Sequence, residues 1–292
     1  MQENINFYCL GAAHRDIKAR ALVKPKNGES VPVQTSTCLG GVACNIAVNL
    51  ASLGSRVFLG SIVGDDIFGQ NIIKNLIINN INIQDIIISK NNPTAYYYAL
   101  IDHNGELFIA LSDMNIYQEL KLENIILLIN KNMHITDWII DANLSPEVIS
   151  YICRTIKNKR LWGIGVSVYK NAVLSQGFPY WHALILNQEE LFALSNKHEL
   201  KEAMNSIKKL GCAHVIITAG ASGVYYYNGD DFYHSLPVVS YVTDVTGAGD
   251  AFSAGVIYSL AHQKNIKEAL DMGLVLANQA LRSSKSSLEK SR

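Results

Sequence analysis

Asp244-Val245-Thr246-Gly247-Ala248-Gly249-Asp250-Ala251-Phe252 sets a run of small residues before an aspartate at the point where an apolar helix begins. Small side chains let the backbone N–H groups of a helix start converge on an anion without obstruction. An anion site with a carboxylate beside it suits phosphoryl transfer. Gly247, Ala248 and Gly249 would stabilise charge on the moving group, and Asp250 would accept the proton of an attacking hydroxyl. Taken alone, the stretch also fits an ordinary glycine turn capped by an aspartate.

Outward from this motif the chain alternates between two hydrophobic periods. Helices are expected at Ala248 to Ala261 and Ile266 to Leu281, and upstream at Ala43 to Leu53, Ile67 to Ile78 and Pro146 to Ile156. Short apolar runs at Phe7 to Leu10, Val57 to Ile62, Trp138 to Asp141, Leu161 to Ile164, Ala183 to Leu186 and Val215 to Thr218 read as strands. Strands followed by helices predict a parallel sheet covered on both faces. Two stretches break the rhythm. Ala95 to Ile101 and Glu106 to Leu111 flank a polar turn that contains Gly105, the pattern of a hairpin. The region from His14 to Thr37 offers two more antiparallel strands, so a small sheet beside the main one is expected. A further hairpin is expected at Gly223 to His234, and the serine- and lysine-rich tail from Arg282 reads as frayed.

The chain has 292 residues, 49% of them hydrophobic, which is enough for one large α/β domain. Lys+Arg and Asp+Glu both number 25, so no excess positive charge favours a nucleic acid or an anionic membrane. Cys9, Cys38, Cys44, Cys153 and Cys212 are scattered and odd in number, which argues for reduced thiols over a disulfide framework or a zinc site. No run reaches the roughly 18 apolar residues of a membrane helix, and the start shows no secretory leader. A soluble cytoplasmic protein is the expectation.

Gly40-Gly41-Val42-Ala43-Cys44-Asn45 opens the first long helix, about 200 residues before the aspartate motif, and Gly54 and Gly64 follow. These two segments, in this order, resemble the two signature patterns of the PfkB carbohydrate kinase family, and the resemblance spans nearly the whole chain. It implies a single ribokinase-like domain over residues 1–292, a three-layer α/β sandwich with a mostly parallel central sheet. A small β lid would come from about 14–37 and 95–111, and ATP would bind toward the C-terminal half. Carried over by position, the resemblance makes Asp250 the catalytic base, with Gly247, Ala248 and Gly249 as the anion hole. Asn187-Gln188-Glu189-Glu190 resembles the family's N-x-x-E motif and places Asn187 and Glu190 near the phosphates and Mg²⁺, a hard cation that seeks oxygen ligands. By themselves Asn187 and Glu190 equally suit a helix cap and a first-turn acid. Thr218, Gly220 and Gly223 look like the nucleotide-contact loop. On the substrate side, Asp16 would hold sugar hydroxyls, Gly41 and Asn45 would approach the same sugar, and Asn143 would reach the pocket from a strand end. A monovalent cation such as K⁺ belongs to the same expectation, although the C-terminus is short for the usual cation loop.

Within the family, Asp16-Ile17-Lys18-Ala19-Arg20, Ser112-Asp113-Met114-Asn115-Ile116 and Asp141-Ala142-Asn143-Leu144 are most similar to pseudouridine kinases. The implied reaction transfers the γ-phosphate of ATP to the 5′-hydroxyl of a nucleoside. Ribose or adenosine as acceptor, or a nucleoside-binding regulator without turnover, are the alternatives. Cys44 stands where relatives frequently carry arginine, and Gly165-Val166-Ser167 where many carry Asp-Pro-Val-Ser. Tyr96-Tyr97-Tyr98 offers rings for a base, a lid core or a homodimer contact through the lid. His14 lies nearest the expected sugar site.

Overall fold

Asn6–Leu10 (β1) is the strand about which the molecule is organised. Phe7 and Cys9 face one side of the sheet and Tyr8 and Leu10 the other, and all are fully buried. A strand buried on both faces is the mark of a parallel sheet covered by helices. The computed structural model describes residues 5–237 and 246–282, so Asp244, Val245 and the tail beyond Arg282 lie outside the described residues.

From β1 the chain leaves for a small sheet as β2 (His14–Ala21) and β3 (Val33–Gly40). It then returns through α1 (Val42–Ser52), β4 (Arg56–Gly64), α2 (Ile67–Ile78) and β5 (Ile81–Ser89). The hairpin β6 (Tyr96–Ile101) and β7 (Leu107–Asp113) completes the small sheet, in the order β3-β2-β6-β7. The second half runs α3 (Leu122–Asn132), β8 (Asp137–Asp141), α4 (Pro146–Thr155), β9 (Arg160–Ile164), β10 (Ala183–Asn187), α5 (Gln188–Ser195) and α6 (Leu200–Lys209). It continues with β11 (His214–Thr218), β12 (Val224–Tyr227), β13 (Phe232–Ser235), α7 (Ala248–Ala261) and α8 (Ile266–Leu281).

Among the described residues the large sheet has nine strands in the order β13-β12-β11-β10-β9-β8-β1-β4-β5. From β5 across to β11 every neighbour is parallel, and β12 and β13 close one side as an antiparallel hairpin. One apolar cluster joins the sheet to α1, α7 and α8 through Ile46, Leu50, Phe252, Val256 and Leu270. The other joins the opposite face to α3, α4 and α6 through Ile125, Ile149, Met204 and Ile207. This is a three-layer α/β sandwich, as expected from the sequence. Trp138, Trp162 and Trp181 are fully buried, and each contributes roughly 4–6 kcal/mol of gross transfer free energy. Each indole N–H is satisfied, by Ile135 O, Asp137 Oδ1 and Leu174 O respectively, so their burial carries no unpaired donor.

The order of strands reverses beside β1: the chain builds outward to β4 and β5, then crosses to β8 and proceeds the other way. Ligands of open α/β sheets bind beyond the carboxyl ends of the strands at such a switch point. Asp141, Ile164, Asn187 and Thr218 end their strands on that one edge.

Candidate active site

Helix α7 starts at Gly247, whose left-handed backbone (φ 78°) glycine adopts without strain, and no side chain among the described residues caps it. The first N–H groups of a helix have no intrahelical acceptor, so this uncapped start offers them to an anion. Asp250, in the first turn, accepts a hydrogen bond from Asn45 Nδ2 at 2.8 Å. Burial pushes its carboxyl up to about 7; the Asn45 bond opposes the shift, while Asp141, Asp16 and Glu190 add to it. A carboxyl poised near neutrality is suited to take a hydroxyl proton.

Asp250 and Gly249 open on a cavity of about 390 Å³ shared with Gly165, Asn187, Glu190 and Thr218. Asn187 and Glu190 form a reciprocal cap on α5. Asn187 Oδ1 accepts from Glu190 N and Glu190 Oε2 accepts from Asn187 N, both at 2.8 Å. The plain helix-cap reading is therefore realised, and it also fixes a buried carboxylate at the cavity wall. Burial raises Glu190, with the Asn187 backbone and the neighbouring Asn171 amide acting against the shift. A bound cation would relieve that cost, which is the physical fit of this site to a divalent ion. A Cβ at Gly165 would lie 2.2 Å from Glu190 Oε2, so the glycine leaves room for this carboxylate. Thr218 and Gly249 also border a second, apolar cavity of about 370 Å³, walled by Gly220, Gly223, Phe252, Leu274, Ala277 and Leu281. Its apolar walls and polar mouth suit a flat heteroaromatic ring with phosphates pointing to the α7 start.

On the other side of Asp250, Asp16 projects from β2 in one row with Cys38, Tyr97 and Ser112. His14 Nε2 lies 3.1 Å from Asp16 Oδ1, yet among the described residues that buried oxygen has no hydrogen-bond partner, and neither do Asn45 Oδ1 and Asn143 Nδ2. Buried polar atoms left unpaired are rare and costly, and a polyhydroxylated ligand is one kind of group that could satisfy them. Gly41 sits with φ 100° where a Cβ would fall 2.2 Å from Ala12 O. Lys18 Nζ donates to Thr246 Oγ1 at 2.6 Å, tying the small sheet to the loop ahead of α7. Cys44 is fully buried in α1, so no polar group from that position enters the site.

The structure thus gathers the residues named from the sequence along one edge of the sheet. Thr218, Gly220 and Gly223 line the apolar cavity, Asn45 bonds Asp250, and Asp141 holds Asn143 beside the α1 start that follows Gly41. Sequence reading passes over Asp141, although it is quoted in its motif. Its buried carboxylate accepts from Ala12 N (2.9 Å), Ala43 N (3.1 Å) and Asn143 N (2.9 Å), and so clamps the β1 loop, the start of α1 and the β8 loop together. An aspartate closing a hydrophobic strand is the signal that was available. Lys170 and Asn171, just beyond β9, carry no such signal.

The sequence pattern of the pfkB family carbohydrate kinases matches residues 5–291. The chain is 28% identical over 263 residues to a pseudouridine kinase of Escherichia coli (strain K12), covering 88% of this chain and 84% of that one. Among solved structures, a carbohydrate kinase from Agrobacterium tumefaciens has a TM-score of 0.82 at 28% identity, over 97% of this chain and 92% of that one. A ribokinase from Thermotoga maritima has a TM-score of 0.85 at 21% identity, over 97% and 94%, and speaks to the fold alone. An uncapped helix start beside a near-neutral carboxyl, two adjoining cavities and a family match over almost every residue agree: the chain belongs to the pfkB family of carbohydrate kinases and is a phosphotransferase acting on an alcohol group.

Proposed function

We propose that this kinase transfers the γ-phosphate of ATP to the 5′-hydroxyl of a nucleoside, and that its preferred acceptor is pseudouridine. The observation that carries the reading is Asp250, raised to about 7, held by Asn45 and set between the helix start and the unpaired polar atoms of the sugar side. The acceptor hydroxyl gives its proton to Asp250 as its oxygen bonds to the γ-phosphorus, and the bond to the departing ADP oxygen breaks. The N–H groups of Gly247, Ala248 and Gly249 stabilise charge on the phosphoryl oxygens. Asp16 takes the ribose diol, with Gly41 and Asn45 alongside, and Asn143 completes that side. Thr218, Gly220 and Gly223 hold the nucleotide. Glu190 and Asn187 would hold Mg²⁺, which supplies charge neutralisation at the phosphates when bound. A monovalent cation such as K⁺ is part of the same reading. So is a cytoplasmic location, in keeping with cysteines that are all free, Cys153 and Cys212 being pushed up to about 12 by burial.

The similarity to the Escherichia coli pseudouridine kinase supports the choice of acceptor. Pseudouridine and uridine share the ribose that Asp16 grips, so discrimination must come from groups that use the extra imide N–H of the carbon-linked base. A buried acceptor left without that donor costs roughly 1–3 kcal/mol. In a coupled ADP-release assay with pseudouridine, uridine, ribose and adenosine, kcat/KM for pseudouridine is expected to exceed that for uridine by at least about tenfold. Equal rates on the two uracil nucleosides would remove the specificity and leave the kinase. A preference for ribose or adenosine would change the acceptor.

A further inference from the structure

Lys170 sits in the loop after β9 with its ammonium half-buried, and its Nζ donates to Asn143 Oδ1 at 2.6 Å. The loop beneath it is fixed. Asn171, itself buried, accepts from Val166 N at 2.8 Å through Oδ1, and the backbone N–H groups of Lys170 and Asn171 both return to Ser167 O. Val168 and Tyr169 stay exposed while Lys170 turns inward. Asn143 is held as firmly, since its own N–H donates to the Asp141 clamp.

An ammonium can only donate, so the face of the Asn143 amide that meets Lys170 must be its oxygen. The orientation of the amide follows from chemistry: Nδ2 must point the other way. That Nδ2 is buried and has no hydrogen-bond partner among the described residues. A donor fixed in orientation and given nothing to donate to among the described residues is one that an acceptor on a bound ligand would satisfy.

We propose that Lys170 is a positioning residue for substrate recognition, locking the Asn143 amide so that Nδ2 is a dedicated donor to an acceptor oxygen of the sugar-bearing substrate. The inference rests on the proposed kinase reading and adds to it a residue outside the family's motifs. The acceptor oxygen belongs either to the sugar or to a ring carbonyl of the base, and the two sources separate experimentally.

The test measures binding by calorimetry, with pseudouridine and D-ribose as probes, and steady-state kinetics with ATP, on wild type, Lys170→Met, Lys170→Arg and Asn143→Asp. Asn143→Asp keeps an acceptor for Lys170, and adds a charge to that pair, but deletes the donor. It is expected to weaken pseudouridine by about tenfold or more. Lys170→Met should raise KM for the nucleoside by a similar factor with KM for ATP within about twofold, and Lys170→Arg should recover part of the loss because a guanidinium also only donates. Weakening of both probes assigns the acceptor to the sugar, and weakening of pseudouridine alone assigns it to the base. Wild-type affinity in Asn143→Asp would overturn the proposal, as would equal losses for nucleoside and ATP in Lys170→Met, which describe a merely structural contact. Failure of wild type to bind either probe would overturn it too. Binding without turnover would instead sink the kinase reading, with Lys170 still measured by the same titrations.

Discussion

Asp250 is placed where its own ionisation is disfavoured, and this sets catalysis against stability. Its folded pKa of about 7 lies above the ordinary 3.8, so between those values the folded state holds more proton than the unfolded one. Stability therefore falls as pH rises through that window and levels off above about 7. Asp250→Asn keeps an acceptor for Asn45 and removes the titration. The melting temperature of that variant is expected to exceed wild type by several degrees at pH 8, at about 2–4 °C per kcal/mol, and to match it near pH 4. Turnover should fall by at least about 10²-fold with ATP affinity largely spared, and wild-type kcat/KM should climb with pH up to about 7. A variant with ordinary turnover, or no stability gain at pH 8, would remove Asp250 from the role of base. Asp250, Asn45 and Asp16 were legible in the sequence because each stands in or beside a local motif whose chemistry is readable. Asp141 and Lys170 were not, because what they do is decided by partners 98 and 27 residues away.

Helix α7 shows why its small residues are needed. Gly249 is exposed, its φ is not in the left-handed region, and a Cβ built on it would meet nothing within 4 Å. Neither packing nor backbone conformation requires glycine at 249, so on the proposed reading the glycine serves what occupies the two cavities it borders. Gly249→Ala is expected to fold with an unchanged or slightly higher melting temperature, since alanine favours a helix, yet to lose at least about tenfold in turnover. Full activity in that variant would mean that no phosphoryl group approaches the α7 start this closely. The same helix was read from its periodicity with its observed ends, as were α2 and α8, because long apolar stripes fix both type and length. Elements α3, α5, α6 and β5 escaped that reading. In α6, Leu200, Ala203, Met204 and Ile207 keep helical spacing but sit among Lys201, Glu202, Lys208 and Lys209, so the stripe is narrow against a charged background. In β5 the asparagines that flank and interrupt it mimic loop composition.

Across the whole molecule, the small sheet has two unlike faces. The inner one carries Asp16 and Lys18 toward the α7 start, and the outer one carries Tyr98, Leu100, Ile109 and Leu111 on neighbouring strands. Ile109 and Leu111 are 48% and 56% exposed, and β7 is an edge strand whose outward backbone groups have no partner strand among the described residues. An apolar face beside an open edge is what a soluble chain covers, and the same sheet in a second copy supplies a matching face under twofold symmetry. We propose homodimerisation through this sheet, which would brace the strand that bears Asp16. Size-exclusion chromatography with light scattering should give a dimer for wild type at micromolar concentration. Ile109→Lys with Leu111→Lys should give a folded monomer, because two desolvated ammonium groups would oppose association. That monomer should show a higher KM for the nucleoside than for ATP relative to wild type, since the sugar-gripping strand loses its support while the nucleotide side is untouched. A monomeric wild type, or a double variant that remains dimeric, would show that this face serves another purpose.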